Sequence, residues 1–193
     1  MWSEFEVYLR LGFEHITDPR GYDHILFVVA LCAAYDWKRW KELVWMVTAF
    51  TLGHSVTLAL ATMDMITINS NLVEFLIPVT ILATSIINVA DRRENDGASY
   101  RTAKYVLALC FGLIHGMGFS SFLRTILGAE ESIVWPLFSF NLGLEVGQIA
   151  IVLITLALTF VTMRFLNRPR REWTLLLSGA TAGISLLLIF ERL

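Results

Sequence analysis

Cysteine is scarce in this chain of 193 residues, with only Cys32 and Cys110 present. Both fall inside apolar runs, so a disulfide cannot be inferred, and two buried thiols are the simpler reading. Charge is scarce as well, at 17% of residues with a net value of -2, which gives no reason to invoke nucleic acid. The opening Met1-Trp2-Ser3-Glu4-Phe5-Glu6 lacks the basic region of a signal peptide, and no cleaved leader is expected. No internal repeat is strong enough to propose inverted halves.

Apolar sequence is abundant. The chain is 56% hydrophobic with a mean hydropathy of +0.63, where a soluble domain sits near about 45–50%. The excess lies in long runs, so the expected class is an all-α polytopic membrane protein. A bilayer core takes roughly 20 apolar residues to cross, and six spans are expected at about 22–37, 43–63, 72–90, 104–124, 134–163 and 173–191. Trp37 and Trp40 suit an interfacial anchor for the short first span.

The loops alternate in charge. Lys38, Arg39 and Lys41 follow span one, Arg92, Arg93, Arg101 and Lys104 follow span three, and Arg164, Arg168, Arg170 and Arg171 follow span five. The loop holding Asp64 and Asn69 to Asn71 has no Lys or Arg, and the loop with Glu130 and Glu131 has only Arg124 at its edge. The positive-inside rule then makes the basic loops cytoplasmic and puts both termini outside a bacterial-type cytoplasmic membrane. Residues 1–20 read as an amphipathic surface helix, with Phe5, Leu9, Phe13 and Ile16 at helical spacing, ended by Pro19 and Gly21. That segment is either a plain surface anchor or a lid over a site. Residues 21–193 form the single six-helix domain.

Histidine is the other scarce residue, and all four lie in or beside apolar stretches: His15, His24, His54 and His115. Imidazole in hydrocarbon is costly unless it faces a cavity, a partner or a metal. With the orientation above, Asp23 and His24 open span one at its outer end, while His54 and His115 sit near mid-membrane. Thr51 and Ser55 share a face with His54, and Asn141, Glu145 and Gln148 share a face of span five. Glu74 enters span three from outside. The costly groups therefore gather in the outer half, as in a polar funnel. The spacings Gly112-x-x-x-Gly116 and Gly143-x-x-x-Gly147 allow close helix approach, and if spans four and five pack there, His115 and Glu145 meet.

Each residue has a plainer role available. Asp23 suits a helix start, Glu145 an internal ion pair, and His54 and His115 helix-to-helix hydrogen bonds. Imidazole with carboxylate, however, suits nickel, cobalt, zinc or iron, with Asn, Ser or Thr orienting the ligands. The sequence ligand set is His24, His54, His115, Asp23 and Glu145, supported by Ser55, Thr51, Asn141, Gln148, Glu74 and His15. Such a site serves a transporter of divalent ions. It also serves an intramembrane metal-dependent hydrolase acting on a lipid or peptide, with Glu145 or Asp23 as base. A structural scaffold is the third option. Ser85, Asn88 and Asp91 offer the only inward continuation of ligands. A serine nucleophile at Ser55, Ser120 or Ser121 lacks a nucleophile-elbow pattern. The bilayer and a divalent ion are the expected partners, with a homo-oligomer open.

Four blocks carry a family resemblance: Gly21-Tyr22-Asp23-His24-Ile25-Leu26-Phe27; Thr48-Ala49-Phe50-Thr51-Leu52-Gly53-His54-Ser55-Val56-Thr57-Leu58; Gly112-Leu113-Ile114-His115-Gly116-Met117-Gly118-Phe119; and Phe140-Asn141-Leu142-Gly143-Leu144-Glu145-Val146-Gly147-Gln148. They resemble the HupE/UreJ-like membrane proteins, closest to the second, broader branch. The resemblance implies nickel or cobalt supply by a secondary permease, with Asp23, His24 and the matched histidines handling metal. Nickel-type members have a His five residues before the Asp-His pair. Here seven residues separate His15 from Asp23, so the resemblance does not carry that role to His15.

Overall fold

A computed structural model describes residues 2–66, 69–91, 97–119, 123, 125–126, 132–165, 167 and 169–193. Helices dominate because backbone groups withdrawn from water must bond within their own segment. In chain order they are α1 Trp2–Thr17, α2 Asp23–Cys32, α3 Trp40–Thr62, α4 Ser70–Ala90, α5 Ala98–Gly118, α6 Val134–Phe165 and α7 Arg170–Glu191. Among the described residues there is no strand. Among the described residues, four segments are long and apolar enough to cross a membrane: Trp37–Thr62, Ser70–Ala90, Val134–Phe165 and Arg170–Glu191. Helix α5 has 21 residues, but Arg101 and Lys104 lower the apolarity of its start.

The region expected as span one departs from the sequence reading. Helix α2 has only 10 residues, about 15 Å at 1.5 Å per residue, half of a bilayer core of about 30 Å. A helix so short leaves carbonyls unbonded at depth unless protein covers them. That cover is present. Asn88 of α4 donates to the Ala30 carbonyl at 2.7 Å, Thr174 of α7 donates to Ala33 at 2.8 Å, and Arg170 donates to Ala34. Asp23, His24, Phe27, Val28, Ala30, Leu31 and Cys32 are buried, and α2 lies against α4, α6 and α7 at the centre of the bundle.

The glycine spacings pair differently from the sequence expectation. Helices α3 and α5 meet backbone to backbone: a Cβ at Gly112 would strike the Phe50 carbonyl, and one at Gly116 the His54 carbonyl. Helices α1 and α6 do the same, with Gly12 on the Phe140 carbonyl and Gly143 on the Leu9 carbonyl. The two Gly-x-x-x-Gly faces thus serve separate partners, α3 and α1, and do not face each other. Glycine also sets the rotation of α1. Tyr8, Gly12 and Ile16 turn inward, while Phe13, expected on the apolar face, is 38% exposed.

Charges from the three basic loops meet at one end. Lys104 pairs with Asp91 at 3.3 Å, Arg170 pairs with Asp36 at 3.9 Å, and Arg171 donates to the Asp91 carbonyl at 3.0 Å. Arg39 stacks over Tyr35. Arg92, Arg93, Arg124, Glu130, Glu131, Arg168, Ser120 and Ser121, with part of the expected end of span four, lie outside the described residues. Both cysteines are free. Cys32 is buried as expected, whereas Cys110 is exposed on the outside of α5.

Candidate metal centre

Four helices bring the four histidines together. His15 is in the last turn of α1, His24 in the first turn of α2, His54 within α3 and His115 in the last turn of α5. The glycine contacts make this possible. Gly12 and Gly143 draw α1 onto α6, and Gly116 seats α5 on the turn of α3 that carries His54. Ring centroids lie 4.7 Å apart for His15 and His24, 5.4 Å for His24 and His115, 6.1 Å for His15 and His54, and 6.3 Å for His24 and His54. Imidazoles bound to one ion through nitrogen at about 2.0–2.1 Å place their centroids about 5 Å apart. His15 is therefore as central as the others, although its sequence position made it peripheral.

The walls are aromatic. Phe27 and Phe50 lie 5.1 and 5.0 Å from the His115 ring, Phe119 lies 3.8 Å from His15, and Phe140 lies 5.8 Å from His15. Such walls lower the local dielectric and penalise any polar atom left without a partner. Yet the Nε2 atoms of His15, His24, His54 and His115 are all buried and unbonded, as is His54 Nδ1. Leaving a buried polar atom unsatisfied costs about 1–3 kcal/mol, so a packing role for all four rings is poorly supported.

The hydrogen bonds that do form select the tautomer. Asp23 Oδ1 accepts from the His24 ring at 3.1 Å, so Nδ1 carries a proton, and in the neutral ring Nε2 is then the lone-pair nitrogen. His115 Nδ1 donates to the Phe111 carbonyl at 2.8 Å, with the same result. Neutral imidazole with a free Nε2 is the form that binds metal. Burial and the neighbouring His24 hold the His15 imidazole well below its ordinary range, with Asp23 opposing in part. As the side chains stand, no three His, Cys, Asp or Glu among the described residues are gathered tightly enough to hold an ion.

A cavity of about 460 Å³ is lined by Leu11, Glu14, His15, Thr17, Asp18, Pro19 and Phe119. It reaches the imidazole cluster through His15 and carries two carboxylates on its wall.

Other expected residues fall elsewhere. Glu145 does not meet His115; its Oε1 accepts from Thr48 at 2.7 Å. One turn on, Thr51 donates to Gln148 at 2.7 Å, so these pairs form a polar seam between α3 and α6. Thr48 was missed by the sequence reading, although its spacing to Thr51 matches that of Glu145 to Gln148. Ser55 donates to the Thr51 carbonyl and Asn141 to the Leu137 carbonyl, both within their own helices. Asn141 Oδ1 and Gln148 Nε2 are left unbonded. Asp23 is engaged on both oxygens, with His24 and Arg192. The side chain of Glu74 is exposed, and its backbone carbonyl accepts from Arg192. Ser85 bonds Thr181, and Asn88 bonds Ala30, so two of the three residues considered for an inward path tie helices together.

The sequence profile described as HupE / UreJ protein matches residues 1–191. The chain belongs to the HupE/UreJ family. No curated protein and no solved structure matches it. Within this family member, three of the four resembling blocks each deliver a histidine to the cluster. The fourth delivers the Phe140 wall and the Glu145–Gln148 half of the seam. His15, outside those blocks, completes the set through the packing of α1.

Proposed function

We propose that this protein binds a first-row divalent ion, nickel, cobalt or zinc, through His15, His24, His54 and His115, and moves it across the cytoplasmic membrane. The observation that carries this reading is the group of four buried, unbonded Nε2 atoms on neighbouring rings. Imidazole nitrogen suits these metals, and the family is associated with nickel or cobalt handling. Asp23 orients His24 instead of acting as a ligand, and Glu145 belongs to the helix seam. The convergence of the basic loops at one end supports an orientation with that end cytoplasmic. The cavity beside α1 then faces outward. Six segments crossing or entering the bilayer fit this arrangement, with α2 as a buried half-helix and α5 as the least apolar span.

The deciding experiment reconstitutes the full chain in liposomes and follows Ni²⁺, Co²⁺ and Zn²⁺ uptake, beside elemental analysis of the purified protein. Metal near one equivalent, with uptake lost in His54→Ala, is expected. Protein that binds none of the three ions rules out the reading.

A second reading, an intramembrane metal-dependent hydrolase, is favoured by one specific combination. The cavity at His15 has room for part of a substrate, while Ser85 and Asn88 are occupied in helix contacts. The ion would supply an activated water, and Glu14 and Asp18 on the cavity wall would be the carboxylates within reach of substrate. Metal binding with no uptake in the liposome experiment selects this reading.

A further inference from the structure

Arg192 closes the last helix and reaches across two others. Its Nη1 donates to the Glu74 carbonyl at the start of α4 at 2.7 Å, and its Nη2 lies 3.4 Å from Asp23 Oδ2 at the start of α2. Both partners of the ion pair are largely withdrawn from solvent, with side chains 25% and 12% exposed. The planar guanidinium can hold two acceptors at once, which an ammonium does less well. Arg192 lies one residue beyond the family match at 1–191, so membership does not assign it a role.

The electrostatic setting gives it one. Four neutral imidazoles around a dication leave a charge of +2 in an aromatic-walled site. Asp23 is the carboxylate bonded to a ring of the cluster, and one oxygen is already used on His24. The other faces Arg192, so the Asp23–Arg192 pair carries no net charge. An incoming ion thus meets a compensated carboxylate. The cation at Arg192, paired with the carboxylate that holds the His24 ring, opposes an incoming ion.

We propose that Arg192 is a positioning residue that holds Asp23 on His24 and weakens the site's grip on a divalent ion, so that bound metal can leave. This rests on the metal-binding reading above. Removing the charge while keeping a hydrogen-bond donor should tighten binding and slow release, whereas a residue that only braced the helix ends would weaken binding when lost.

The test uses the purified full chain in detergent, titrated calorimetrically with Ni²⁺, Co²⁺ and Zn²⁺ separately, followed by release to a chelator. For the ion that wild type binds best, Arg192→Gln should lower Kd by about tenfold or more and slow release by a similar factor. Arg192→Lys, which keeps the charge, should stay within about threefold of wild type on the same grounds. Unchanged or weaker affinity in folded Arg192→Gln overturns the proposal. If Arg192→Gln does not fold, Arg192→Met is read the same way; if neither neutral variant folds, Arg192 is a structural clamp and the proposal fails. No binding of any ion by wild type overturns the metal reading itself, an outcome distinct from a variant that binds like wild type.

Discussion

Asp23 and His24 are neighbours in the chain and are joined twice through one oxygen. Asp23 Oδ1 accepts from the His24 backbone N–H at 3.0 Å and from the His24 ring at 3.1 Å. One carboxylate oxygen in the first turn of α2 therefore satisfies a backbone N–H and accepts the Nδ1–H of the helix's first histidine.

Asp23→Asn weakens this arrangement, because an amide is a poorer acceptor and can turn its NH₂ toward the ring. Loss of such a supporting partner commonly costs about 10–100-fold in metal affinity. Titration of the variant with Ni²⁺ or Zn²⁺ should show that loss at unchanged stoichiometry. A stoichiometry of zero would instead make Asp23 an indispensable ligand.

Acid should destabilise the protein through His15. Its folded-state pKa is depressed below an unfolded value of about 6.5. As pH falls through that unfolded value, the unfolded chain takes up a proton that the folded chain resists. The stability contributed by neutral His15 is fully present above about pH 6.5 and is lost on acidification. Thermal unfolding at neutral and mildly acid pH should show a smaller acid loss for His15→Gln than for wild type. Equal losses in the two proteins would remove His15 from this account.

The contact between α1 and α6 has no room for a side chain at Gly12, which faces the Phe140 carbonyl. Gly12→Val should cost at least about 1–3 kcal/mol, as other overpacked sites do. It should also reduce metal binding, because His15 rides on the same helix. Gly179→Ala is the control, with nothing within 4 Å of its added Cβ, and should be neutral or stabilising in a thermal melt.

Thr48 and Glu145 should show coupling to each other and little to metal. A double-mutant cycle with Thr48→Ala and Glu145→Ala is expected to give a coupling of about 0.6–1.7 kcal/mol, the range for hydrogen bonds between membrane helices. Glu145→Gln should retain full metal stoichiometry by elemental analysis. Metal loss in that variant would put Glu145 back among the ligands.

Much of the architecture was legible because apolar length is a local property. The helix beginning at Ser70 has Asn69 as its N-cap, whose side chain accepts from Leu72 N–H. The run from Val134 to Phe165 forms one unbroken helix of 32 residues. Helix α2 escaped the same logic, since its apolar run reads like a short span. Its ending at Cys32 depends on Asn88, Thr174 and Arg170 covering its carbonyls, and those residues are far away in sequence. The seam was half visible, as the shared face of Asn141, Glu145 and Gln148, but its partner Thr48 could be chosen only once α3 and α6 were side by side.

The sequence by itself determined the class of the protein, the placing of its apolar runs, the basic character of alternate loops and the position of the four histidines in or beside apolar stretches. Each follows from composition and period along one segment. Which glycines face which helix, that His15 stands with His24, and that Glu145 turns to Thr48 were decided only by tertiary structure. Helix faces of similar smallness can pair in several ways, and the choice rests on how the described helices bury their surfaces together. That choice brings four imidazoles, far apart in the sequence, into one aromatic-walled cluster.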